Sequence, residues 1–235
     1  MTFSFFIMNI AVILAGGTGS RMHADRPKQF LPLEDGTVIE KTIAAFEAAP
    51  AIDEIAVVVH PDWMDHMRAI AQRHSWRKVD KLVEGGDERY MSSLNAIAAY
   101  LDYPDDTNLL IHDGARPWVS QAIIARVAEA LRDHEAVGVG IPATDTVWEV
   151  RQEIDPHLST IITRIPLRSS MWLAQTPQAF RLPLIRDAYQ HALQDPSFRA
   201  TDDCVVVRRY LPGTKIHVVP GEEQNRKITF PSDLA

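Results

Sequence analysis

Hydrophobic and polar positions along the chain alternate between two kinds of segment. Residues 9–14 (NIAVIL), 55–59 (IAVVV), 108–112 (NLLIH) and 136–141 (AVGVGI) are short, nearly unbroken apolar runs rich in β-branched side chains. Such runs suit parallel strands covered on both faces. Between them, residues 38–49, 62–74, 92–101 and 121–133 repeat apolar positions every three or four residues, the spacing of an amphipathic helix. Strand and helix in alternation predict an α/β fold, a doubly wound, mostly parallel, Rossmann-like sheet. Ligand chemistry in such sheets belongs to the loops at the carboxyl ends of the strands.

The alternation breaks after Ile141. Residues 144–168 mix polar and β-branched positions and contain Pro156 and Pro166. The stretches 146–150 and 159–163 read as two halves of a hairpin standing away from the sheet. A lone two-stranded ribbon is marginal in water, so this protruding β-arm is expected to pack on something, such as a second subunit. The remainder shows no repeat and no low-complexity tract, so residues 1–235 read as one domain with an arm.

Composition narrows the function classes. The 235 residues are 46% hydrophobic and 23% charged, with a formal net charge of −7. An acidic chain lacks the basic surface that nucleic-acid binding requires, so no nucleic-acid partner is expected. Cys204 is the single cysteine, which excludes an intrachain disulfide and a cysteine-rich metal site. No apolar run approaches the ~20 residues that span a bilayer, so no membrane partner is expected. The apolar start, residues 1–8, has no basic region and no small-residue cleavage site. A cytoplasmic enzyme is the expectation.

Candidate chemistry begins directly after the first strand, at residues 14–21 (LAGGTGSR). Gly16, Gly17 and Gly19 let backbone N–H groups approach a phosphate chain closely and form an anion nest. Arg21 can then grip a phosphate oxygen bidentately. Lys28, in the run Pro27-Lys28-Gln29-Phe30, adds a point charge beside a rigid turn. The spacing fits neither the Walker loop nor the dinucleotide-binding glycine pattern. A bare glycine turn with surface cations explains the glycines, but not Arg21 and Lys28 together.

Four further runs follow. Gly85-Gly86-Asp87-Glu88-Arg89 precedes a helix expected to start near Ser92, with the Ser92 hydroxyl as its cap. In 112–117 (HDGARP) a carboxylate, Asp113, ends an apolar strand, where it needs a partner such as Arg116 or a metal. His112 reads as a packed strand-end residue. Residues 201–203 (TDD) read as a helix start capped by Thr201, and 225–227 (NRK) carries Lys227.

Together with AQTPQAF at 174–180, these runs resemble the cytidylyltransferases that activate polyol phosphates. Members of that family act on 2-C-methyl-D-erythritol 4-phosphate, and relatives on D-ribitol 5-phosphate. The motifs occur in the family's order over nearly the whole chain. The resemblance implies a fold of the nucleotide-diphospho-sugar transferase type, CTP as substrate, Mg²⁺ or another divalent cation, and a homodimer with arm exchange. It implies nucleotide binding by Leu14, Ala15, Gly16, Gly17, Thr18, Gly19, Gly86, Asp87 and Ser92. Arg21, Lys28 and Lys227 would serve the reacting phosphates. Asp113, Arg116 and Thr201 would meet the acceptor, and Asp113 would be the candidate metal carboxylate. Thr146 and Arg168 would reach from the arm to the acceptor phosphate in the neighbouring subunit.

The chain departs from the family pattern twice. Leu167 stands where an aspartate commonly precedes the arm arginine, and Arg226 stands at a usually apolar position. HDGARP, Trp172 and TDD lean towards a methylerythritol phosphate acceptor; Leu167, Arg226 and residues 61–64 (PDWM) lean towards ribitol phosphate. From another class, a non-catalytic nucleotide-binding module would bind CTP without turnover and dispense with a cationic position, yet all are present.

Overall fold

A computed structural model of the chain describes residues 7–17, 26–151 and 160–234. In chain order the strands and helices are β1 (Asn9–Ala15), β2 (Pro32–Leu33), β3 (Gly36–Thr37), α1 (Val38–Glu47), β4 (Glu54–Val59), α2 (Met64–His74), β5 (Val79–Glu84) and α3 (Arg89–Ala98). They continue as β6 (Asn108–Asp113), α4 (Gln121–Ala130), β7 (Ala136–Pro142), β8 (Glu149–Arg151), β9 (Ile161–Arg164), β10 (Trp172–Arg181), α5 (Leu182–Ala192), α6 (Asp203–Tyr210) and β11 (His217–Pro220).

The main sheet has seven strands in the order β11-β7-β10-β6-β1-β4-β5. Every neighbouring pair is parallel except those of β10, which runs antiparallel to both β6 and β7. The expected mostly parallel sheet is therefore present. Its unbroken apolar strands follow from burial on both faces. On β1, Ala11, Ile13 and Ala15 pack with Ile39 and Ile43 of α1, Met67 of α2 and Ile123 of α4. The alternate residues Ile10, Val12 and Leu14 pack with Ile97 of α3, Ile185 of α5 and Val206 of α6. Period-two alternation thus assigns one residue set to each helical layer.

Local signals start the helices. Thr37 and Glu40 form a capping box on α1, with Glu40 Oε2 accepting from Thr37 N at 2.8 Å. Ser120 Oγ accepts from Ile123 N at 3.1 Å and caps α4. Two expected caps are corrected. The cap of α6 is Asp202, whose carboxylate accepts from Val205 N at 2.9 Å; the preceding Thr201 is exposed. Helix α3 begins at Arg89, earlier than expected, so Ser92 lies inside its first turn and is buried. Two glycines and three charged residues, 85–89, open this stretch as a turn would, and the first serine beyond them reads as the cap.

Strands β8 and β9 pair antiparallel as a separate two-stranded sheet. Thr146 precedes β8 in an irregular, exposed segment and is not part of the ribbon. Strands β5, β10 and β11 lay outside the apolar runs read from the sequence, because each is partly exposed or interrupted by polar residues.

Candidate active site

Strands β6, β1 and β5 end on the same edge of the sheet, with β4 between β1 and β5, and the loops that follow the three form one wall each of a cleft of about 300 Å³. Leu14, Gly16 and Gly17 line it from β1, Gly86, Asp87 and Ser92 from the β5–α3 connection, and Asp113 from β6. The two glycine loops touch. A Cβ on Gly16 would lie 2.9 Å from Ser92 Oγ, and one on Gly85 would lie 3.1 Å from Gly16 Cα, so this close approach requires glycine. Ser92 Oγ accepts from Gly86 N at 3.2 Å, which ties the second loop to the first turn of α3. Its hydroxyl thus holds the loop in place of the expected helix cap.

Lys28 sits on a short 3₁₀ turn, Lys28–Phe30, and is buried. Its Nζ donates to Ile228 O at 2.7 Å, while the adjacent Gln29 Nε2 donates to Gly17 O at 2.9 Å. The turn therefore joins the first glycine loop to a strap formed by residues 225–230. Lys227 and Thr229 of that strap also line the cleft.

Asp113 is the electrostatic centre. Its Oδ2 lies 2.9 Å from Lys227 Nζ and 3.3 Å from Arg116 Nε, and its Oδ1 lies 3.4 Å from Arg89 Nε. Burial by itself would raise the carboxyl's pKa, but the Lys227, Arg89 and Arg116 charges overcome it and hold the group well below the usual carboxylate range. Asp113 is therefore ionised at neutral pH. Behind it, His112 is fully buried and burial pushes its pKa down to about 4. Its ring contacts Thr176 Oγ1 at 3.0 Å and Arg116 O at 3.1 Å, so it supports the strand end as expected.

A second cavity of about 170 Å³ shares Arg89, Asp113 and Lys227 with the first and adds Arg116, Thr176, Gln178 and Thr201. Arg116 Nη1 donates to Asn225 O at 2.8 Å, anchoring the strap. The two cavities meet at the Asp113 cluster, so a reactant in each would meet there.

Most expected site residues thus converge. Leu14, Gly16, Gly17, Lys28, Gly86, Asp87, Ser92, Asp113 and Lys227 line the larger cleft, and Arg116 and Thr201 the smaller. Ala15 is a buried strand end beside them. Thr146 and Arg168 line neither cavity; both are exposed, and Arg168 Nη1 donates to Thr144 O at 3.2 Å. Thr18, Gly19 and Arg21 lie outside the described residues.

Arg89 lacked an assigned role in the sequence, although the GGDER run contains it. Besides Asp113 it reaches Asp203 of α6, with Nη1 to Oδ2 at 2.7 Å, and it lines both cavities. Asp203 is fully buried and also accepts from Tyr189 OH at 2.7 Å. The sequence signal for this link is weak, since the two residues belong to distant segments.

A mostly parallel sheet with glycine loops and gathered cations at its strand ends suits the phosphates of a nucleotide, and its relatives place the chain among the nucleotidyltransferases. The family model described as IspD, 2-C-methyl-D-erythritol 4-phosphate cytidylyltransferase, matches residues 9–235. The chain belongs to this family of CTP-dependent cytidylyltransferases. A 2-C-methyl-D-erythritol 4-phosphate cytidylyltransferase of Thermobifida fusca is 45% identical over 225 residues, covering 96% of this chain and 90% of the relative. The Haemophilus influenzae bifunctional ribulose 5-phosphate reductase/CDP-ribitol pyrophosphorylase is 38% identical over 226 residues, 96% of this chain and 46% of that protein. Among solved structures, the Anaerococcus prevotii 4-diphosphocytidyl-2C-methyl-D-erythritol synthase superposes with a TM-score of 0.79 at 29% identity, covering 97% of this chain and 93% of its own. The Francisella tularensis 2-C-methyl-D-erythritol 4-phosphate cytidylyltransferase gives 0.78 at 27%, covering 97% and 96%.

Proposed function

We propose that the chain joins CTP to 2-C-methyl-D-erythritol 4-phosphate, releasing pyrophosphate, in the non-mevalonate isoprenoid pathway. A phosphate oxygen of the acceptor attacks the α-phosphorus of CTP, and the bond from that phosphorus to the β-phosphate oxygen breaks. The attacking oxygen is already anionic at neutral pH, so alignment and charge neutralisation carry the catalysis rather than a general base. The observation behind this reading is the cluster of Lys227, Arg89 and Arg116 on Asp113 where the two cavities meet.

In this reading the glycine loops, Asp87 and Ser92 hold the nucleotide. Lys28, Lys227 and Arg21 neutralise the reacting phosphates, and Asp113, Arg116 and Thr201 orient the acceptor. Among the described residues, no group of three or more His, Cys, Asp or Glu side chains is arranged to hold a metal ion. A Mg²⁺ ion would take most of its ligands from phosphate and water, and Asp113 could join them only by exchanging a contact with Lys227, Arg89 or Arg116 for the metal. Such an ion would offset triphosphate charge. Asp113 would be its one protein ligand.

The arm reading completes the site from a second subunit, with Thr146 and Arg168 meeting the acceptor phosphate. Its support is apolar exposure beside the ribbon: Trp148, Ile165 and Leu167 are 58%, 60% and 74% exposed. Surfaces of that kind are usually covered in an assembly. No helix among the described residues is long and apolar enough to cross a membrane.

D-Ribitol 5-phosphate is the second acceptor considered, on account of Leu167 and the ribitol-related Haemophilus protein. Pyrophosphate release with CTP and each purified acceptor separates the two. Turnover with 2-C-methyl-D-erythritol 4-phosphate is expected; turnover with ribitol 5-phosphate alone would overturn the assignment, and CTP binding without turnover of either would favour a non-catalytic module.

A further inference from the structure

Asp233 lies on the 3₁₀ turn Pro231–Leu234, outside every motif used above. Its Oδ2 accepts from two consecutive backbone amides, Thr229 N at 2.7 Å and Phe230 N at 2.8 Å. Its own amide donates to Phe230 O at 2.9 Å. This is one half of a capping box, in which an acidic side chain reaches back to otherwise unsatisfied amides at a helix start. Those two backbone bonds, followed by the nearby Arg226 and Lys28 charges, hold its carboxyl below the ordinary range.

The capped amides belong to the strap that supports the cleft. Ile228 N donates to Ala115 O at 2.9 Å, and Ile228 O accepts from Lys28 Nζ at 2.7 Å. Lys227, one residue earlier, pairs with Asp113. Ile228 is fully buried against Leu33 and Val38, with Leu234 packed on the same cluster. Two cations assigned to the phosphates therefore take their positions from one strap. The turn bearing Asp233 fixes its downstream end.

We propose that Asp233 is a positioning residue: by capping Thr229 and Phe230 it fixes the Ile228 carbonyl and the Lys227 backbone, and through them the placement of Lys28 and Lys227 at the reacting phosphates. It touches no substrate, and its effect on turnover rests on the cytidylyl-transfer reading. A misplacement of about 1 Å at reacting groups costs on the order of 100-fold in rate. A purely structural cap would alter thermal stability and leave kcat at lower temperature unchanged.

The test uses the full chain with CTP and 2-C-methyl-D-erythritol 4-phosphate, well below each variant's melting temperature. Asp233→Ala is expected to lower kcat by about 10- to 100-fold. KM for CTP should stay within about threefold of native, separating misalignment from lost binding. Asp233→Asn, whose carbonyl oxygen can accept from the same amides, is expected to recover kcat to within about threefold of native. An alanine variant with native kcat overturns the proposal. So does an asparagine variant as slow as alanine, since charge rather than capping would then act.

A second readout does not depend on the reaction. The rate of Lys28 acetylation by an amine reagent, followed by mass spectrometry, should rise several-fold in Asp233→Ala as the Ile228 carbonyl is released. An unchanged rate overturns the positioning role. If native protein turns over neither acceptor, the reaction assignment fails and the acetylation rate alone decides this proposal. Should Asp233→Ala fail to fold, Asp233→Leu, which likewise has no acceptor for the amides, is measured in both assays with the same deciding outcomes.

Discussion

Lys227 Nζ lies 2.9 Å from Asp113 Oδ2, so one cation assigned to the phosphates is held by the carboxylate that ends β6. Arg89 and Arg116 share that carboxylate. Asp113→Asn would keep the shape and leave three positive groups facing one another. Breaking a buried charge pair from one side costs about 3 kcal/mol or more. The variant should lose about that much unfolding free energy by urea titration, together with its turnover. A loss under about 1 kcal/mol, the scale of a surface pair, would show that the cluster is solvated and not structural.

Lys28 faces the cleft while bonded to Ile228 O at 2.7 Å. Removing a group that stabilises transition-state charge costs on the order of 100- to 1000-fold in kcat. Lys28→Ala should show a fall of that size, with the dissociation constant for CTP changing only a few-fold by calorimetry. Unchanged kcat would remove Lys28 from the catalytic assignment.

Arg168 is exposed and lines neither of its own chain's two cavities. If it serves the neighbouring subunit, inactive Lys28→Ala and Arg168→Ala chains should complement each other when mixed and allowed to exchange. One site of the mixed dimer then has both native residues. Turnover should appear on mixing and track the exchanged fraction. Continued inactivity of a verified mixed dimer would confine Arg168 to its own subunit.

His112 carries a pH dependence whose sign is fixed. Its pKa is lowered from 6.5 to about 4 by burial, so between those values the unfolded chain binds more protons than the folded one. The resulting stability is present above the unfolded pKa and is lost as pH falls towards the folded pKa. Moving from pH 7 to pH 5 should cost about 2 kcal/mol through this residue. Urea unfolding of native protein and His112→Gln at the two pH values isolates the term. Equal pH dependence in both proteins would contradict it.

The sequence by itself determined the doubly wound sheet and the loops that carry the site. Those features have local causes: unbroken apolar runs for strands buried on both faces, three- and four-residue spacing for helices, and glycines where loops approach closely. It also singled out Lys28, Asp113 and Arg116, because charged side chains beside a rigid turn and a strand end require partners, while Lys227 came from the family resemblance alone. Only the tertiary structure decided which partners. The insertion of antiparallel β10 between β6 and β7 brings Thr176 against His112 and Gln178 beside Asp202, with Nε2 to Oδ2 at 2.9 Å. Strand neighbours are chosen by non-local pairing, which periodicity does not encode. The caps moved for a local reason: Asp202, next to Thr201 and as good a cap, accepts from Val205 N, and Ser92 turns back to Gly86 N, a choice set by backbone geometry that residue type leaves open. Above all, the gathering of Arg89, Arg116 and Lys227 on Asp113 joins separate segments of chain, with the strap placed by Asn225 and Asp233. Each charge is costly to bury alone. Their convergence is stable because the fold supplies the compensating charge and hydrogen bonds in the same place.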